Sequence, residues 1–153
     1  MSELNINLMA AFRQLFVPHH FSLEFRAKIF AAMLLAKGNQ DESDYEKVAE
    51  IGREIYPKEP KRVNLLCNLT NEYVTKANVY KSLNLDSLLK DIDEILKNQK
   101  KFTQKINFSH LRRMLSKDED EALIQQRVYE FLLSEVKRYA PEAKSKPQES
   151  EKN

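Results

Sequence analysis

Apolar residues recur at helical spacing along most of the chain up to residue 140. Leu8, Met9, Phe12, Leu15 and Phe16 make one stripe at intervals of three and four, which predicts an amphipathic helix from Asn5 to Phe16. Pro18 closes it, because the residue before a proline avoids the helical region. A second helix is expected from Ser22, read as its cap, to about Ala36. From Ile29 onward it is apolar on every side, the mark of a helix buried all round. Gly38 follows where a left-handed residue ends a helix.

Asn39 to Asp44 is a polar turn, with Asp41 and Asp44, and also Ser43 and Glu46, at capping-box spacing. The third helix aligns Tyr45, Val48, Ala49, Gly52, Ile55 and Tyr56. Gly52 in that stripe points to a close helix crossing, or is simply tolerated there. Pro60 suits the first turn of a fourth helix, whose inward face holds Val63, Leu66, Thr70, Tyr73, Val74, Ala77 and Tyr80. Asp86 is read as the cap of a fifth, with Leu85, Leu88, Leu89, Ile92, Ile95 and Leu96 inward. Phe108, Leu111 and Leu115 mark a short helix capped near Ser109. Asp118 opens the last long helix, with Ile124, Val128, Phe131, Leu132, Val136 and Tyr139 inward, and Pro141 ends it. The expectation is an all-α, single-domain bundle of six or seven helices over residues 1–140. Residues 141–153 hold too little apolar surface to offset their ordering entropy and are expected to be a disordered tail.

Composition sharpens what this fold can do. The chain has only two glycines, Gly38 and Gly52, too few for a phosphate-cradling P-loop, a dinucleotide fingerprint or a nucleophile elbow. A single cysteine, Cys67, allows no internal disulfide and no paired-cysteine zinc site, which suits a reducing compartment. The first residues lack a basic then apolar leader, and the longest apolar run, Ile29 to Ala36, is far short of the ~20 residues that cross a bilayer. A cytoplasmic protein without a transmembrane segment is expected. Its 25 basic and 23 acidic residues are too balanced to name a nucleic-acid or membrane partner on their own.

Candidate chemistry is sparse. His19 and His20 are adjacent and His110 is distant in the chain, with no spacing that suggests a metal site. Cys67 lies beside Leu65, Leu66 and Leu69 and reads as a small buried hydrophobe. Acidic residues crowd the starts of two helices, at Asp41, Glu42, Asp44 and Glu46 and again from Asp118 to Glu121. The helix dipole accounts for both clusters. The stretch from residue 97 to residue 117 is the most unusual: Lys97, Lys100, Lys101, Lys105, Arg112, Arg113 and Lys117, without one acid and with Phe102 and Phe108 interleaved. Such a stretch can neutralise phosphates while its aromatics stack on bases, grip an acidic protein or lipid surface, or lie opposite Asp118–Glu121 as a solvated connector. The first amphipathic helix can pack on its own bundle, or dock a partner or a membrane surface.

The segment Ala31-Ala32-Met33-Leu34-Leu35-Ala36-Lys37-Gly38-Asn39-Gln40-Asp41-Glu42-Ser43-Asp44 resembles the TerB-like helical domains, those of tellurite-resistance protein B. Ala36, Gly38, Asp41 and Asp44 match the family pattern, whereas Lys37 stands where the family has aspartate and Gln40 where it has an apolar residue. A weaker echo lies in Leu111 to Val136. The resemblance implies an all-α fold and a stress-linked, non-enzymatic role. It also implies a divalent-metal association of the acidic loop, of which only Asp41 and Asp44 carry over. The expected function is a non-enzymatic protein-interaction module without a cofactor, using the grooves between helices or the basic stretch. The alternatives are nucleic-acid binding through residues 97–117, a weak metal-binding domain, and an enzyme or metal protein whose site is assembled from distant residues.

Overall fold

The computed structural model describes residues 21–141. The expected helix from Asn5 to Phe16, His19, His20 and the tail beyond Pro141 lie outside the described residues. Within them the chain is all-α: α1 (Phe21–Lys37), α2 (Glu42–Ile55), α3 (Pro60–Val79), α4 (Leu85–Asn98), α5 (Phe108–Arg112) and α6 (Glu119–Tyr139). Short 3-10 helices at Lys81–Leu83 and Lys100–Lys105 flank α4. No helix among the described residues is long and apolar enough to cross a membrane.

Helix α1 is the axis of the bundle. Leu23, Phe25 and Ala27 are buried, as are Ile29 through Leu34 and Ala36. Helices α3, α4 and α6 and the 3-10 helix Lys100–Lys105 pack around it. The all-round apolar run therefore buries as the pattern predicts, each large side chain contributing about 1.5–3 kcal/mol by leaving water. Gly38 ends α1 with φ of +99°, in the left-handed region. Gly52 marks the predicted close crossing of α2 on α3: a Cβ there would meet Leu66 Cδ2 at 3.1 Å and Val63 Cγ1 at 3.2 Å.

The turn after α1 is built as the spacing suggests. Asp41 is extended and caps α2, its Oδ1 accepting from the Asp44 backbone N–H at 3.2 Å, while Asp44 Oδ2 accepts from the Asp41 N–H at 2.8 Å. Pro60 occupies the first turn of α3, and Asp118 caps α6 through the N–H groups of Asp120 and Glu121. Three caps differ from expectation. Ser22 is already inside α1, which includes Phe21. Asn84, not Asp86, caps α4, because extended Asn84 precedes the helix and its Oδ1 accepts from the Ser87 N–H at 3.0 Å. Asp86 falls in the first turn, where its charge suits the dipole. Asn107, not Ser109, caps α5, accepting from the N–H groups of Ser109 and His110.

Helix α6 also departs from the hydrophobic reading. Ile124, expected inward, is 43% exposed and Leu123 is 52% exposed, while Gln125 is fully buried. Gln125 explains the rotation. Its Nε2 donates to the backbone carbonyls of Met33 at 3.1 Å and Met114 at 3.0 Å, and its Oε1 accepts from the Ser116 N–H at 2.7 Å. One amide thus joins α1, the end of the α5 region and α6. The inward stripe becomes Gln125, Val128, Leu132, Glu135 and Tyr139. Replacing Gln125 with Leu keeps the volume but strands the Ser116 N–H and the Met114 carbonyl. We expect a loss of about 2 kcal/mol in urea unfolding, with helical circular dichroism retained.

Candidate docking groove

Two walls with different supports flank an open concavity. Helix α2 leans on α3. The connector from Arg113 to Lys117 is held toward α1 and α6 by buried Met114 and by the Gln125 amide. Between them lies an open groove of about 870 Å³. Leu34, Ala49, Met114 and Leu115 supply apolar surface along its floor. No aromatic residue lines it.

Ion pairs organise its rim. Lys37 Nζ lies 2.8 Å from Asp44 Oδ2 at one end. Burial works against the Lys37 charge, but the hydrogen bond and charge of Asp44, with Asp41 and Glu121 beyond, outweigh it and raise the lysine above its ordinary range. At the other end Arg113 spans from the connector to α2, its Nη1 2.8 Å from Glu54 Oε1 and its Nη2 3.7 Å from Glu50 Oε1. The Arg113 hydrogen bond holds the Glu54 carboxyl below the usual range. His110 also faces Glu54, at 3.5 Å, yet burial keeps its imidazole below the ordinary value. Lys47 lies 3.6 Å from Glu50. Arg53 and Lys117, one on each wall, are exposed and have no ion pair among the described residues.

The basic stretch is therefore divided. Arg113 and Lys117 line the groove. Arg112 lies over the Tyr129 ring and donates to its hydroxyl. Lys97, Lys100 and Lys101 are exposed elsewhere on the surface, and Lys105 borders a small crevice with Arg26 and His110. The interleaved aromatics face inward or sideways. Phe102 is buried with its ring 5.3 Å from that of Phe25, and Phe108 meets Tyr129 edge-on at 5.3 Å. Neither ring offers a stacking platform. Spacing placed Ala49 on the apolar stripe of α2 without marking it as a groove residue and did not single out Arg53; their groove positions follow from how α2 leans.

In the acidic loop one oxygen each of Asp41 and Asp44 is already engaged. Asp44 Oδ2 is taken by the Lys37 ammonium and the Asp41 N–H, and Asp41 Oδ1 accepts from Ser43 Oγ at 2.7 Å and from the Asp44 N–H. Among the described residues no three His, Cys, Asp or Glu side chains gather as a metal site. Cys67 is half-buried, and burial raises its thiol against the opposing charge of Arg53.

A second polar cluster joins α4 to α6. Glu135 is buried, and its Oε1 has no hydrogen-bond partner. Burial, then the hydrogen bond and charge of Asp93, push its carboxyl up to about 7, with Arg138 opposing. The Glu135 hydrogen bond, then that of the Tyr139 hydroxyl at 2.9 Å, keep Asp93 low. The two carboxyls titrate as a coupled pair, with burial favouring the protonated form of Glu135. A smaller apolar cleft of about 240 Å³ lies between α3 and α4, beside Tyr73, Leu83 and Leu88. The cations there, Lys28 and Lys76, are paired with Asp91 and Glu72.

The folded chain keeps the Glu135 proton where the unfolded chain, with an ordinary value of 4.5, releases it. That contribution is complete below 4.5 and is lost as pH rises through about 7. Glu135→Gln should flatten the decline and exceed wild type in stability by about 1–3 kcal/mol at alkaline pH, with little difference near pH ~4.5, as read by urea unfolding across pH.

Compared with known proteins, the chain matches no family model, no curated protein and no solved structure.

Proposed function

We propose that the chain is a non-enzymatic protein-interaction module and that the groove between α2 and residues 113–117 is its docking surface. The observation that carries this reading is the groove itself: an open channel of about 870 Å³ with an apolar floor and a charged rim. That is the anatomy of a surface that excludes water at its centre and sets register at its edge. Its lining has serine hydroxyls, carboxylates and cations but no cysteine or histidine, so it lacks a nucleophile with a histidine base. A cytoplasmic setting suits the lone thiol, Cys67.

The likeness to TerB-like domains belongs to the same proposal. It is supported by Gly38 in the left-handed region and by the reciprocal cap of Asp41 and Asp44. Lys37 in place of the family's aspartate favours the non-metal form of that likeness, since its ammonium already neutralises Asp44.

Ala49 is partly buried, packed against the core while lining the groove, and arginine is a good helix former, so circular dichroism checks the fold of the variant. Ala49→Arg should fill the channel while leaving the fold intact. Affinity capture from native lysate should retain at least one protein on wild type and on Lys101→Glu, and lose it on Ala49→Arg. Equal retention on all three would remove the groove as the docking surface.

A further inference from the structure

We propose that the groove takes an acidic peptide segment of a partner protein, one that sets an apolar side chain on the Leu34–Ala49–Met114–Leu115 floor between flanking carboxylates. This rests on the groove being a protein-docking surface and names the chemistry of what docks.

The charge pairing along the rim carries the argument. Five cations line the groove (Lys37, Lys47, Arg53, Arg113 and Lys117) against three carboxylates, Asp44, Glu46 and Glu50. Asp44 is held by Lys37, and Glu50 faces both Lys47 and Arg113. Glu54, just outside, is held by Arg113. Among the described residues this leaves Arg53 on α2 and Lys117 on the connector as cations without an ion partner, against Glu46 alone as a carboxylate without one. The two free cations rise from opposite walls, with the aliphatic floor between them. A carboxylate meeting either guanidinium or ammonium gains a charge-assisted bond without displacing an existing pair. A basic segment would face an excess of five lining cations over three lining carboxylates, with Glu121 beside Ser116 as one further carboxylate. The smaller cleft between α3 and α4 offers no such imbalance, because Lys28 and Lys76 already have partners. A nucleic acid would find the cations but no aromatic ring to stack on.

The test uses three short fluorescein-labelled peptides with identical leucine spacing, in which the intervening residues are Glu, Gln or Lys. Fluorescence anisotropy is read against the full chain, its variants and a labelled single-stranded oligonucleotide. The Glu peptide should bind roughly tenfold more tightly than the Gln peptide, weaken with salt, and lose roughly tenfold in Arg53→Glu with Lys117→Glu. Lys97→Glu with Lys101→Glu, outside the groove, should change it little. Both charge reversals are at exposed positions, and circular dichroism checks the fold. Equal binding of the Gln or Lys peptide, abolished by Ala49→Arg, would overturn the acidic preference while leaving the groove as a docking surface. Glu-peptide binding unchanged both in Ala49→Arg and in Arg53→Glu with Lys117→Glu would sink both. Oligonucleotide binding lost in Arg53→Glu with Lys117→Glu, without peptide binding, would assign the groove to nucleic acid instead. No binding of any probe would also overturn the acidic segment, and the lysate capture by Ala49→Arg then reads the broader proposal separately.

Discussion

From Ile29 to Leu34 helix α1 has no face that it can give to water, whereas earlier in the helix Leu23, Phe25 and Ala27 are buried between partly exposed polar residues. A helix of that kind is stable only when other helices enclose it, so the positions of α3, α4 and α6 answer to α1 before they answer to each other. The 3-10 helix Lys100–Lys105 completes the enclosure by turning Phe102 onto Phe25. Its lysines are carried along by that packing. The basic character of this segment and its place in the fold thus have separate causes: solvent accepts the ammonium groups, and the core requires the phenyl ring.

Polar groups then decide the finer alignment. Gln125 spends three of its hydrogen-bonding positions on Met33, Met114 and Ser116 and rotates α6 to do so. Buried amide hydrogen bonds are expensive to leave unmade, so this alignment outweighs the burial that Ile124 would gain by facing inward. Glu135 follows the same rotation into the interface with α4, where burial and Asp93 favour its protonated form. The stripe on α6 is consequently a compromise between hydrophobic area and two buried polar contacts.

The groove is a by-product of these supports. Helix α2 leans on α3, with Gly52 allowing close approach to Val63 and Leu66, while the Arg113–Lys117 connector follows α6 and α1 through the Gln125 amide. Two walls anchored to different neighbours leave a channel between them. Arg113 bridges it to Glu54 and Glu50, consuming one cation of the basic stretch, while Lys117 stays free. The separation of spent from unspent charge gives the surface its electrostatic character.

Local pattern alone was enough for the all-α class, the burial of α1 from Ile29, the start of α3 at Pro60 and the cap at Asp118, and it offered the close crossing at Gly52 and the cap of Asp41 and Asp44 each as one of two readings. Each depends on residues within one or two helical turns, or on a stripe along a single helix, and such information is written locally. Arg113 and Lys117 were visible as charges, but their division from Lys97, Lys100 and Lys101 was not. Tertiary structure alone decided the inward turn of Gln125 and Glu135, the outward turn of Ile124, the burial of Phe102 and the placing of Arg53 and Lys117 in the lining of one channel. These outcomes compare the packing and desolvation of groups far apart in sequence, and no single helix contains both sides of that comparison.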